Sequence, residues 1–218
     1  MKLKHTFFVS EDKRLKIFGE DFVNLYFIGI IFAQFGWTGE NIARAVTRGI
    51  IDCRFHLLPF ISPYMLIAFA FHILFKNSDD ISFFGKKLFR KRNAGTVIAE
   101  NCICFFIICT AVFLGELFVG NMWEIVFGVQ LWDYSEHPMH ITQYAGLIPT
   151  VGYGLAAFLI FKFAYNPLMK FVSNRISYKV VKITDLTLGI MILTDTAVMI
   201  IQIMVFGNPP IYWVIKLW

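Results

Sequence analysis

Five stretches of this chain, residues 21–37, 57–75, 94–118, 145–165 and 186–206, are long and apolar enough to cross a bilayer as helices. A hydrocarbon core about 30 Å thick takes about 20 helical residues, and a segment inside it must satisfy its own backbone hydrogen bonds. The spacing therefore predicts an all-α, polytopic integral membrane bundle of about five transmembrane helices, forming a single domain over residues 1–218. Composition agrees: 57% of residues are hydrophobic and 16% charged, against about 45–50% and about 25% in soluble domains. The 25 phenylalanines suit lipid-facing helix surfaces better than one soluble core.

Charge then orients the spans. Lys plus Arg number five in residues 1–20, three in 38–56, six in 76–93, none in 119–144, five in 162–185 and one after residue 206. High and low counts alternate, so by the positive-inside rule the N-terminus and the loops around 86–92 and 170–182 are expected in the cytoplasm. An odd span count then puts the C-terminus outside the plasma membrane. The first twenty residues mix acids and bases and lack a secretory signal's apolar core, so the first span is expected to serve as its own insertion signal. The basic run Lys86-Lys87-Leu-Phe-Arg90-Lys91-Arg92 reads as topogenic charge, and no nucleic-acid partner is expected.

The two outer connections share a plan. Each carries a Glu after a span (Glu40; Glu116), then a half-apolar helical stretch, then an aromatic segment with Pro before the descending span. Glu40, Arg44 and Arg48 fall at i, i+4 and i+8, as do Glu116, Gly120 and Glu124, which sets each trio on one helical face. Two short external helices, interfacial or re-entrant, are predicted, and spans one–two and three–four form a weak internal repeat.

The second connection is the chain's most particular stretch. Residues 115–146 hold four carboxylates, Glu116, Glu124, Asp133 and Glu136, with His137 and His140 and without Lys or Arg. Asp133, Glu136, His137 and His140 have helical spacings that would suit a divalent cation, but Pro138 interrupts a regular helix, and capping by Ser135 explains the segment without a metal. Trp132 and Tyr134 beside Asp133 offer a stacking surface for a cation or a ring. Asp195 lies midway along the fifth span, where a carboxylate facing lipid is costly, so it should face the bundle. His72, Gln34 and Thr110 are its candidate partners; it is either a proton- or cation-coupling group or a protonated acid in an interhelical bond. Cys53, Cys102, Cys104 and Cys109 read as packing residues, and Gly152 and Gly154 as a close-contact helix face.

The run Glu116-Leu-Phe-Val-Gly120, Glu124, Phe127-Gly128-Val129, Trp132-Asp133-Tyr134-Ser135 and Pro138 resembles the signature of the ABC-transporter type IV family of small bacterial membrane proteins, E-x-x-x-G-x-x-x-E followed by W-[DE]-Y-S-x-x-P-x-N. Gly36-Trp37, Glu40, Arg54 and Pro63 stand where that family shows its first-half motif. His140 replaces the family's Asn, Gln143 its Gly, and Phe55-His56-Leu57-Leu58-Pro59 its Gly-rich stretch, which marks a divergent member.

The resemblance implies a permease-like or transporter-associated membrane subunit working with a separate ATPase, because no GxxxxGK[ST] phosphate loop occurs in the chain. No cofactor or metal is expected, and no hydrolase motif is present; a membrane-embedded enzyme acting on a lipid or quinone, or a non-catalytic regulatory subunit, is the alternative. Five spans make a thin wall for a pore, so a homodimer or hetero-oligomer is expected. Candidate substrate-binding residues are Glu40, Arg54, Glu116, Glu124, Trp132, Asp133, Tyr134, His137 and His140, with His72 and Asp195 as intramembrane polar or coupling residues.

Overall fold

The computed structural model describes residues 14–218 together with the backbone of Phe8–Val9. Lys2, Lys4 and Lys13, part of the N-terminal count of Lys plus Arg, lie outside the described residues.

Among the described residues four helices are long and apolar enough to cross a membrane: Phe22–Arg48, Ala94–Phe127, Leu147–Arg175 and Tyr178–Phe206, with a shorter apolar helical segment at Ser62–Phe75. This is an all-α membrane bundle. Two small sheets lie at its ends, β1 (Phe8–Val9), β2 (Lys16–Ile17) and β3 (Glu20–Asp21) in one, β4 (Ile50–Asp52) and β5 (Val214–Lys216) in the other.

The first helix, α1 (Phe22–Arg48), is the hub. Asp21 caps its start, accepting from Val23 N at 3.0 Å, and Gly49 ends it at φ 63. Its 27 residues reach about 40 Å. It packs on α2 (Met65–Phe75), α5 (Asn166–Arg175) and α6 (Tyr178–Phe206). The shared core holds Leu25, Ile28, Phe32, Phe71, Phe75, Phe161 and Tyr165. Gly29 and Gly36 allow the close approach: a Cβ on Gly29 would lie 2.9 Å from the Met65 carbonyl, and one on Gly36 would overlap the Tyr64 ring.

By contrast α3 (Ala94–Phe127) leans mainly on α4 (Leu147–Leu159), with Gly154 seated against Cys109 at the crossing. Gly152, paired with Gly154 in the sequence reading, has open space around it. Phe106, Leu114, Phe118 and Ile125 of α3 are exposed, as a lipid-facing surface requires. Between α4 and α5 the backbone widens into a π turn over Ile160–Tyr165, just ahead of Pro167, whose ring would otherwise crowd the carbonyl one turn back.

The helices differ from the predicted spans in instructive ways. The stretches after Trp37 and Phe118, expected as separate interfacial helices, continue α1 to Arg48 and α3 to Phe127 without a break. No proline interrupts either, and the stops are the left-handed Gly49 and Gly128. Residues 57–61, expected to open the second span, form a loop because Pro59 falls there and Pro63 follows just after, so that helix begins only at a 3-10 turn over Ser62–Tyr64. The last helix starts at Tyr178, eight residues before the apolar run itself.

Strand β5 pairs antiparallel with β4, while β3 leads directly into α1, so β3 and β5 lie at opposite ends of α1. Trp218 covers Gly49, and Cys53 N donates to Trp213 O at 3.3 Å, fastening the C-terminus to the end of α1.

Candidate functional site: a tyrosine and carboxylate cluster

At the C-terminal ends of α1 and α3 the two halves of the sequence bring their acids together. Glu40 follows Gly36 by one helical turn on α1. Arg54 sits just past β4 with φ 52, an uncommon conformation for a side-chain-bearing residue, and Phe55 follows at φ 68. That bend turns the guanidinium back onto α1. Arg54 Nε donates to Glu40 Oε2 at 2.6 Å, and a terminal nitrogen reaches the same oxygen. Tyr64 donates its hydroxyl to the other oxygen, Oε1, at 2.9 Å. Burial works against the Arg54 charge, but the adjacent Glu40 carboxylate more than offsets it and raises the guanidinium above its ordinary range.

Glu116, on α3, is held differently. It accepts from Tyr134 at 3.1 Å through Oε1 and from Thr150 at 3.2 Å through Oε2. Both donors are neutral, and among the described residues no cation pairs with it. Glu40 acts on it electrostatically, so the acids of both halves share one neighbourhood. Tyr153 of α4 completes the group, coupled electrostatically to Glu40, Glu116 and Arg54. Burial, then Tyr153 and Glu116, push the Tyr134 phenol well above its usual value, so it stays a donor. Two carboxylates, one guanidinium and three tyrosines therefore meet at one end of the bundle.

Loop 129–146 is folded to deliver Tyr134. Tyr134 N donates to Gln143 O at 2.8 Å, His137 N to Tyr134 O at 2.8 Å, and Trp132 Nε1 to Tyr144 O at 3.0 Å. Tyr144 is 1% exposed; its ring covers Gly120 and its hydroxyl donates to Glu124 at 2.6 Å. Gln143 Nε2 donates to the same Glu124 oxygen at 3.0 Å.

A family model described as putative ABC-transporter type IV matches residues 25–200, most of the chain. The chain belongs to that family. No curated protein and no solved structure matches it significantly. The matched region holds every member of the cluster, so this ABC-transporter type IV chain carries its candidate site inside the family's own core.

Of the residues singled out from the sequence, Glu40, Arg54, Glu116 and Tyr134 come together. Trp132 and Glu124 support the loop that carries Tyr134. Asp133, His137 and His140 are exposed and stand apart: the Ser135 hydroxyl, and then the Ser135 N–H at 2.7 Å, hold the Asp133 carboxyl below the usual range, and His140 Nδ1 lies 3.1 Å from the His137 carbonyl. Among the described residues no group of three or more His, Cys, Asp or Glu is placed to hold a metal ion.

Asp195 and His72, expected as possible partners, are apart. His72 is buried between the Tyr165 hydroxyl at 3.1 Å and the Ile17 carbonyl at 3.0 Å. Asp195 instead holds the loop after β4: Oδ1 accepts from Leu57 N at 2.9 Å, Oδ2 from Leu58 N at 3.2 Å, and His56 Nδ1 stands 3.3 Å from Oδ2 without hydrogen-bond alignment. Leu57 and Leu58 lie in irregular backbone whose N–H groups need an acceptor, and this carboxylate supplies it. The residues missed by sequence reasoning are Tyr64, Thr150, Tyr153 and His56. Tyr64 and Tyr153 carried a signal, one polar hydroxyl among apolar neighbours in S-P-Y-M-L and V-G-Y-G-L.

Proposed function

We propose that this chain is a permease-like or transporter-associated membrane subunit, and that the cluster around Glu40, Arg54, Glu116, Tyr64, Tyr134 and Tyr153 is its ligand site. The single observation that carries the reading is that Glu116 shares its surroundings with the Glu40–Arg54 pair yet has only neutral donors. A half-buried carboxylate of this kind, walled by tyrosine rings, favours a ligand bearing a positive charge, an amine or guanidine, which would satisfy Glu116 and rest on the rings. Membership of the ABC-transporter family supports a separate ATPase as partner.

The charge pattern supports an orientation in which the basic segments 76–93 and 170–182 face the cytoplasm and the cluster faces outward. Within the described residues, the cluster's end of the bundle carries only Arg44, Arg48, Arg54 and Lys216 as bases.

The experiment compares small-molecule uptake and release by cells lacking the chain with cells carrying wild type, Glu116→Gln or Glu116→Asp. Glu116→Gln should reproduce the deletion although the protein accumulates in the membrane, whereas Glu116→Asp should retain part of the flux. A Glu116→Gln strain matching wild type across the amine pool would overturn the assignment. His137→Ala and His140→Ala should be silent in the same assay.

A further inference from the structure

The seam between α1 and α6 contains a second acid that the cluster does not use. Asp185 lies on the buried face of α6 with Gly189, Ile192 and Asp195, and is 7% exposed. Among the described residues both of its carboxylate oxygens are buried without a hydrogen-bond partner. Asp195, ten residues further along, has both oxygens occupied by backbone N–H groups, so the two acids differ in what surrounds them.

The surroundings of Asp185 narrow what it holds. From α1, Tyr26 is the titratable neighbour: its hydroxyl lies over Gly189, one turn from Asp185, where a Cβ would be 2.6 Å away, and the two groups act on each other electrostatically. Lys179 and Lys182 on the same helix are exposed and make no ion pair with it. Near the start of α6, Arg14 stacks over Tyr178 at 4.4 Å and lies 3.9 Å from Asp21. No described cation therefore neutralises Asp185. An ionised carboxylate without donors in an apolar seam is costly enough that the group takes a proton or a cation. A metal ion asks for several oxygen ligands, and one carboxylate beside one phenol falls short of that number. A proton needs only the carboxylate itself.

We propose that Asp185 is a proton-binding group, held as a neutral carboxylic acid while α1 and α6 are packed together and able to ionise when water enters the seam. The assignment rests on the α1–α6 contact and is independent of the ligand site, so failure of either leaves the other standing.

The test is infrared difference spectroscopy on the full chain in lipid, titrated with pH and read in the carbonyl stretch of protonated carboxylic acids. Wild type should show such a band near neutral pH that disappears reversibly in alkali; Asp185→Asn should lose it and Asp195→Asn keep it. A spectrum unchanged by Asp185→Asn would overturn the proposal, as would a band that no pH removes. Should Asp185→Asn not fold, isotope labelling of the aspartate carboxyls in the unaltered chain reads the same band, and its absence would equally overturn the assignment.

Discussion

Glu40 accepts from two nitrogens of Arg54 and from Tyr64, and the side chains of the ion pair are 14% and 15% exposed. Removing one partner strands the other in a dry place. Arg54→Ala should lower stability by about 3 kcal/mol, read as a fall in thermal unfolding temperature in detergent, because a buried carboxylate loses its charge partner. Arg54→Lys should recover only part, since an ammonium cannot reproduce the forked contact. His56 gives a pH-dependent counterpart. Burial, offset only in part by Asp195, lowers its ring below the ordinary value, so the folded state binds protons less readily than the unfolded chain. The stability linked to His56 is complete above the ordinary imidazole value of about 6.5 and is lost as pH falls below it. Wild type should therefore lose unfolding temperature between neutral and mildly acidic pH more steeply than His56→Gln. Equal slopes would remove His56 from the account.

Within each half, one element pair repeats a device. On α1, Gly36 receives the ring of Tyr64, whose hydroxyl bonds Glu40 one turn on; on α3, Gly120 receives the ring of Tyr144, whose hydroxyl bonds Glu124 one turn on. The glycine makes room, the ring fills it, and the carboxylate fixes the hydroxyl. Gly36→Ala and Gly120→Ala should each cost about 1–3 kcal/mol, as overpacking against a ring does. Gly39→Ala and Gly115→Ala, on the same helices with open space around them, should be neutral or stabilising by up to about 1 kcal/mol. Thermal unfolding of the four variants separates the two classes.

That repeat was partly legible in the sequence. The shared order of glutamate, aromatic segment and proline marked both halves, but it set Glu40 against Glu116, whereas the glycine, ring and carboxylate device sets Glu40 against Glu124. The helical ends were not, because hydropathy falls where α1 and α3 leave the apolar run while the backbone, meeting no proline, continues to Gly49 and Gly128. Residues 57–61 misled for the opposite reason: they are apolar, yet their prolines and Asp195 hold them as a loop.

For the whole molecule, hydropathy marked the membrane bundle, but which polar groups meet depended on loops. The sequence offered Asp133, His137 and His140 as candidates alongside Glu116, Glu124, Trp132 and Tyr134; the loop turns Tyr134 inward to Glu116 and leaves Asp133, His137 and His140 on the surface, where Asp133 accepts from Ser135 N and His140 Nδ1 lies beside the His137 carbonyl. Asp185 escaped notice because it precedes the fifth apolar run, in a turn whose exposed neighbours Lys179 and Lys182 look like a loop.

The central claim is that segments from the two halves, Tyr64 with Glu40 and Tyr134 with Glu116, stand in one cluster. Cysteines placed at 64 and 134, with Cys53, Cys102, Cys104 and Cys109 replaced, test it through a short bifunctional thiol reagent in native membranes. The account predicts an efficient intramolecular cross-link between 64 and 134 and none between 64 and 88. If the 64–134 pair stays unlinked while each cysteine alone reacts with a monofunctional reagent, the two halves do not share a site and the account is contradicted.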